Sequence, residues 1–173
     1  TPRLEPRFDL AVSLEVAEHL PAERSDAFVA ELCSLADVVL FSAAIPGQLG
    51  TDHINLQLQS AWASRFQAHG YRAFDLVRPR IWHDDRVESF YRQNTMVYVS
   101  EQRPDLLVRA QEQMAALPLT FDVVHPELLA YWVRRATRPL STGPALAPLA
   151  GAVRRAVRHR PPRRRTRPCG LHP

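Results

Sequence analysis

Two carboxylates and an imidazole are grouped where an apolar strand is predicted to end. The stretch over 8–14 has only two polar residues, which is typical of a strand buried on both faces of a parallel sheet. Glu15, Glu18 and His19 follow it directly. Residues three and four positions apart share one face of a helical turn, and carboxylate oxygens and imidazole nitrogens are common ligands of divalent cations. The spacing therefore allows these three side chains to bind one cation.

The pattern of apolar residues predicts a mixed α/β fold. After the strand over 8–14, the predicted elements are a helix over 21–35, a strand over 37–42, a helix over 57–69, strands over 71–77 and 94–100, and a helix over 104–117. The connection between the first two strands has the length of a crossover helix, so these strands are predicted to be parallel neighbours. The segment over 43–59 contains two glycines and a proline that break any period, so it is predicted to be a loop.

Polar segments follow three of the predicted strands at the points where those strands end. They cover residues 15–19, 47–57 and 78–93. Ligands of open α/β sheets bind beyond the carboxyl ends of the strands. We therefore expect these three segments to converge and to form a single site.

Charge is distributed unevenly along the chain. The net charge is +4, yet the segment over 128–173 holds half of the 22 basic residues and none of the 18 acidic ones. The stretch over 138–173 is rich in proline and arginine, and it is predicted to be a disordered basic tail. It lacks the interleaved aromatic side chains that stack on bases, so nucleic acid is not an expected partner.

Composition also bears on where the protein works. The two cysteines form neither a disulfide framework nor a metal-binding spacing. No run of about 18 apolar residues occurs, so no membrane-spanning segment is predicted. We expect a cytoplasmic protein.

The first polar segment resembles part of a known enzyme family. An apolar strand followed by Glu15-x-x-Glu18-His19-(apolar)-Pro resembles the segment after the fourth strand of class I S-adenosylmethionine-dependent methyltransferases. The resemblance implies that residues 1–137 form the C-terminal half of a Rossmann-like methyltransferase sheet, with parallel strands and a terminal antiparallel pair. It also implies S-adenosylmethionine as methyl donor, with Glu15 beside it, and O-methylation of a small metabolite.

The second and third polar segments extend this resemblance. The pattern Pro-Gly-Gln-x-Gly-Thr-x-His-(apolar)-Asn-x-Gln over 46–57 resembles a bacterial branch of these enzymes, as do Trp82 and Tyr91. On this interpretation, Trp82, His83 and Tyr91 contact the small-molecule acceptor. The alternative is that these three side chains only pack within a lid.

A metal site is implied by a narrower resemblance. Glu-x-x-Glu-His followed by a later histidine is similar to the cation site of ubiquinone-biosynthesis O-methyltransferases and of small-RNA 3′-terminal 2′-O-methyltransferases. The ligands here would be Glu15, Glu18, His19 and His53. The cation would be Mg²⁺, Mn²⁺ or Zn²⁺, and it would bind adjacent hydroxyls of the acceptor. The alternative is a metal-free enzyme in which His19 or His53 is the catalytic general base.

The sequence contains no glycine-rich turn of the Gly-x-Gly-x-Gly kind. In the family that the chain resembles, such a turn presents backbone N–H groups to the cofactor. We therefore expect a fragment of a longer enzyme, and the alternative is a truncated, catalytically inactive remnant. The free edge of the strand over 8–14 is expected to favour aggregation or dimerisation, and the sequence leaves the oligomeric state open.

The missing turn predicts weak binding of S-adenosylmethionine to this chain alone. The backbone donors that supply much of the affinity for the cofactor are not in the sequence. Isothermal titration calorimetry of the purified chain measures the affinity directly. A dissociation constant in the micromolar range would contradict the expectation.

Overall fold

The computed structural model describes residues 7–114 and 120–137. Its strands are β1 (Ala11–Leu14), β2 (Val38–Ser42), β3 (Tyr71–Phe74) and β4 (Met96–Ser100). Its α-helices are α1 (Ser25–Leu35), α2 (Gln59–Ala68), α3 (Arg78–Ile81), α4 (Ser89–Asn94), α5 (Pro104–Gln113) and α6 (Pro126–Ala136). Two 3₁₀ turns, Ala17–His19 and Ala22–Arg24, lie between β1 and α1. The predicted α/β class is confirmed at this level.

The four strands form one open sheet in the order β1-β2-β4-β3. Strands β1 and β2 are parallel, with Leu14 opposite Ser42, which confirms the predicted parallel pair. Strand β4 is antiparallel to both β2 and β3. The last two strands therefore form the expected antiparallel pair, and β4 lies between β2 and β3.

Helices pack on both faces of this sheet. One face carries an aromatic core in which Phe66 of α2 stacks on Tyr98 of β4, with ring centroids 3.8 Å apart. Phe41 of β2 meets Phe66 edge to face at 5.3 Å. The opposite face of β4 carries Val99, which packs in a smaller cluster with Ala110 of α5. Since successive residues of a strand point to opposite faces, β4 contributes side chains to both clusters.

The strand over 8–14 was predicted to be buried on both faces, and this is wrong. Residues Phe8, Leu10 and Val12 are exposed, with Val12 at 54%. Strand β1 is at the edge of the described sheet, and it covers only Ala11–Leu14. Its alternate residues Ala11 and Ser13 are buried, so β1 has one buried face.

Several element boundaries differ from the predicted ones. The helix predicted over 21–35 begins with a 3₁₀ turn and becomes α-helical at Ser25. The polar segment over 78–93, for which no helix is predicted, contains α3 and α4. Helix α6 was not predicted. The predicted helical residues 115–117 and the basic tail over 138–173 lie outside the described residues.

The chain divides into two compact units, Thr1–Arg135 and Ala136–Pro173. All four strands and helices α1 to α5 belong to the first unit, and the second is described only at its first two residues. Among the described helices, none has the length and apolar character needed to cross a membrane.

The aromatic core predicts a large cost for removing its central ring. The substitution Phe66→Ala should lower the free energy of unfolding by roughly 3–5 kcal/mol, because it leaves a cavity between Phe41 and Tyr98. Urea denaturation followed by circular dichroism measures this change. The control Val108→Ala, at an exposed position of α5, should change it by less than about 0.5 kcal/mol. Equal effects of the two substitutions would contradict this account of the core.

Candidate metal centre

The chain turns sharply where β1 ends. Glu15 has a φ of 53°, a left-handed conformation that is uncommon for a residue with a side chain. Its backbone N–H donates to the carbonyl oxygen of Ser42 at 3.0 Å, at the end of the neighbouring strand. The 3₁₀ turn Ala17–His19 follows. This reversal directs Glu18 into the interior, where its side chain is fully buried.

The loop after β2 is fastened to the same 3₁₀ turn. The backbone N–H groups of Ile54 and Asn55 both donate to the carbonyl oxygen of Glu18, at 2.9 and 3.0 Å. The side-chain amide of Asn55 donates to the carbonyl oxygen of Ala17 at 3.2 Å. These contacts hold His53, which directly precedes Ile54, beside Glu18.

Three of the four predicted metal ligands lie together. Glu18, His19 and His53 each offer one ligand atom, and these atoms lie within 4.8 Å of one another. The Nε2 atom of His53 is 4.0 Å from Oε1 of Glu18. The two imidazole rings meet edge to face, with centroids 4.9 Å apart. The separations are longer than hydrogen bonds and leave room for an ion between the three side chains.

Both imidazole rings are oriented by backbone carbonyl groups. The Nδ1 atom of His19 lies 3.3 Å from the carbonyl oxygen of Asp52, and Nδ1 of His53 lies 3.4 Å from that of Gln48. A carbonyl oxygen can only accept a hydrogen bond, so in the neutral imidazole Nδ1 is the donor and Nε2 keeps its lone pair. Metal-binding histidines are commonly oriented by such a contact from the second ring nitrogen.

The Glu18 carboxylate is buried without hydrogen-bond partners. No donor in the described residues bonds to Oε1 or Oε2, although both atoms are inaccessible to solvent. Burial raises the pKa of Glu18 from 4.5 to about 7, and the charge of Glu15 adds to the increase. The backbone N–H groups of Glu18 and Ala44 lie near enough to lower the pKa, although neither reaches hydrogen-bond geometry, and the charge of His19 lowers it as well. An unpaired buried carboxylate is costly, and a cation would supply the missing partner.

Glu15 lies outside this group of three ligands. Its Oε2 accepts a hydrogen bond from Nε2 of Gln48 at 2.8 Å, and its Oε1 accepts one from Nδ2 of Asn94 at 3.1 Å. The structure therefore brings Glu18, His19 and His53 together and leaves Glu15 in a separate network of amide side chains.

The predicted acceptor-binding residues lie on the segment that contains α3 and α4. Trp82 contacts the ring of His125 at 4.6 Å, and its carbonyl oxygen accepts hydrogen bonds from Arg92 and His125. His83 is exposed, and Tyr91 packs against Phe90. No described contact joins Trp82, His83 or Tyr91 to the three ligands.

Sequence reasoning missed a buried amide network around Glu15. Asn94 donates to Oε1 of Gln48 at 2.9 Å as well as to Glu15, and Gln93 donates to Oδ1 of Asn94 at 2.8 Å. The backbone N–H of His125 donates to Oε1 of Gln93 at 2.8 Å. Gln48 lies in the glycine-containing pattern over 46–57, and this position could have marked it as a member of the network. Nothing in the sequence marked His125.

Comparison with family models, with curated proteins and with solved structures finds no match for the chain. The geometry of the site, together with the resemblance of its motifs, is therefore the basis for assigning a function.

The burial of Glu18 predicts a pH dependence of stability in the metal-free protein. Its folded-state pKa of about 7 exceeds the ordinary value of 4.5. The unfolded chain therefore releases this proton at lower pH, and the free energy of unfolding should fall as pH rises from about 4.5 to about 7. In Glu18→Gln this part of the fall should be absent. Urea titrations across this range, with a chelator present, measure both curves, and superimposable slopes would contradict the assignment.

Gly50 provides a second test that removes no ligand. A Cβ atom at this position would overlap the ring of His53. Gly50→Ala should therefore displace Nε2 of His53 and weaken Zn²⁺ binding by about tenfold or more. Competition with a chromophoric chelator measures this affinity. Leu49→Ala, at the neighbouring exposed position, is the control and should bind Zn²⁺ as the parent chain does. Unchanged affinity in Gly50→Ala would contradict the role of His53.

Proposed function

We propose that the chain binds a divalent cation through Glu18, His19 and His53, and that this centre serves the acceptor side of an S-adenosylmethionine-dependent O-methyltransferase. The observation that carries the proposal is the fully buried Glu18 carboxylate, which has no hydrogen-bond partner and lies 4.0 Å from Nε2 of His53. The sheet order supports the methyltransferase part, since a parallel pair followed by an antiparallel pair is what the resemblance implies.

The donor set narrows the choice of cation. One carboxylate and two imidazole nitrogens suit Zn²⁺ or Mn²⁺ better than Mg²⁺, which prefers oxygen ligands in an octahedral arrangement. Three protein ligands would leave coordination positions for an acceptor. The cation, when bound, would lower the pKa of an acceptor hydroxyl group and hold it in place.

The side chains have separate roles in this proposal. Glu18 contributes negative charge from a position buried from solvent, where its attraction for a cation is weakly screened. His19 and His53 present Nε2 because backbone carbonyl groups hold their Nδ1 protons. If no cation is used, the same free Nε2 of His53 could accept the proton of an acceptor hydroxyl as a general base.

The described residues do not offer a comparable fit for S-adenosylmethionine. Both carboxylate oxygens of Glu15, the residue expected beside the cofactor, already accept hydrogen bonds from amide side chains. The sequence also lacks a glycine-rich turn. The truncated, catalytically inactive remnant therefore remains the alternative.

The proposed centre predicts the metal affinities of matched variants. Zn²⁺ and Mn²⁺ should bind the chain with a stoichiometry of about one, and Glu18→Gln or His53→Ala should reduce the affinity at least about tenfold. His83→Ala is the control, because this histidine is exposed and has no described contact with the three ligands. Calorimetric titration with each metal measures the affinities.

An acceptor probe tests the functional part separately. Catechol, which carries two adjacent hydroxyl groups, should bind the Mn²⁺-loaded chain more tightly than the metal-free chain, and Glu18→Gln should remove this difference. Metal binding without any effect on catechol would leave a cation site but contradict the acceptor role. Equal loss of metal affinity in His83→Ala would contradict the site itself.

A further inference from the structure

A small apolar cavity lies beside the amide network. Its volume is about 160 Å³, and it lies between the loop after β2, the end of α4, and the segment that leads into and includes the start of α6. Ile45 and Pro46 form one wall, and Leu128, Leu129 and Trp132 form another. The three α6 residues are spaced so that they share one side of the helix. Val124 and Leu129 remain about half exposed, at 48% and 54%.

The two glutamine side chains that border the cavity are already hydrogen-bonded. Gln48 and Gln93 line it, and both are buried. The Gln48 amide bonds to Glu15 and Asn94, and the Gln93 amide bonds to Asn94 and to the backbone of His125. Neither glutamine has a buried atom without a partner in the described residues. A polar ligand group would therefore lose water here without finding an unpaired amide atom of either glutamine.

Polar contacts hold the walls of the cavity in place. Nε2 of His125 donates to the carbonyl oxygen of Trp82 at 2.9 Å, and its Nδ1 accepts from the backbone N–H of Glu127. Arg92, which is buried, pairs with the Glu127 carboxylate at 2.7 Å. Gln59 donates to the carbonyl oxygen of Val123 at 3.2 Å. The start of α6 is thus fastened to α4, so the cavity is largely preformed.

Gln48 joins this cavity to the candidate metal centre. Its side chain borders the cavity, while its carbonyl oxygen faces Nδ1 of His53. The same residue therefore orients a metal ligand and borders an apolar space. A ligand that fills the cavity would end next to the loop that carries His53.

We propose that this cavity is a subsite for an apolar group the size of one aromatic ring, and that the natural ligand of the site joins such a group to a polar head. The volume decides the size, because an apolar cavity of roughly 150 Å³ admits a benzene ring. The group is expected to be apolar because the Gln48 and Gln93 amides are already hydrogen-bonded. If this ligand is the methyl acceptor, the inference rests on the proposed function; the apolar subsite itself does not.

Toluene tests the subsite without metal. The full chain, kept metal-free with a chelator, is titrated with toluene while the Trp132 indole N–H resonance is followed by NMR. We expect a saturable shift of that resonance. The substitution Val124→Asp places a charge at the half-exposed rim of the cavity and should weaken binding about tenfold or more. The matched control is Val108→Asp, at an exposed position of α5 outside the cavity, which should bind as the parent chain does.

The outcomes separate this inference from the metal proposal. Glu18→Gln should lose Zn²⁺ affinity and keep toluene binding, whereas Val124→Asp should lose toluene binding and keep Zn²⁺ affinity. The proposal is overturned if toluene leaves the Trp132 resonance unchanged, or if Val124→Asp and Val108→Asp bind it equally. The spectrum of each aspartate variant also reports whether it is folded. If Val124→Asp fails to fold, Leu129→Asp at the exposed rim replaces it, and unchanged toluene binding in that variant overturns the proposal equally.

Discussion

The candidate site depends on two hydrogen bonds to the backbone carbonyl oxygen of Glu18. This oxygen accepts hydrogen bonds from the backbone N–H groups of Ile54 and Asn55, and so joins the turn after β1 to the loop after β2. Those two strands are parallel neighbours, and their carboxyl ends lie at the same edge of the sheet. Without this contact, His53 would not be held beside Glu18. The constraint uses backbone atoms alone, so it orders the loop whether or not Glu18 carries a charge.

The same edge of the sheet contains two environments of opposite character. In one, the Glu18 carboxylate is buried without hydrogen bonds, which is unfavourable unless it is protonated or paired with a cation. In the other, Glu15, Gln48, Asn94 and Gln93 satisfy one another through amide contacts. Two carboxylates three residues apart therefore have different surroundings. The Glu18 carboxylate has no hydrogen-bond partner among the described residues, whereas the Glu15 carboxylate accepts hydrogen bonds from Gln48 and Asn94.

Much of the fold could be predicted because its signals are local. The apolar runs and the length of the crossover predicted the pairing of β1 with β2, which the structure confirms. Helix α6 was not predicted, although it begins with Pro126 and Glu127 and ends with basic residues, which are local helix signals. Only its position against α4 depends on a distant contact, the pair Arg92–Glu127. The exposure of β1 depends on which elements cover it, and the sequence of the strand does not encode this.

Three of the four predicted metal ligands lie together, and Glu15 does not. Grouping Glu15 with Glu18 and His19 requires a helical turn that begins at residue 15. The structure has Glu15 in a left-handed conformation and a 3₁₀ turn over Ala17–His19. These backbone angles place Glu15 away from the other two side chains. A backbone conformation this uncommon for glutamate is set by the contacts of the folded chain, including the bond from its N–H to Ser42.

The identity of the atoms that hold a metal ion is the most direct test of this account. Crystals of the chain grown with Zn²⁺, measured on both sides of the zinc absorption edge, would locate the ion by its anomalous scattering. The account predicts one zinc ion bound by a carboxylate oxygen of Glu18 and by the Nε2 atoms of His19 and His53, with Glu15 still bonded to Gln48 and Asn94. Zinc held at exposed histidines such as His83, with the Glu18 carboxylate unchanged, would contradict it.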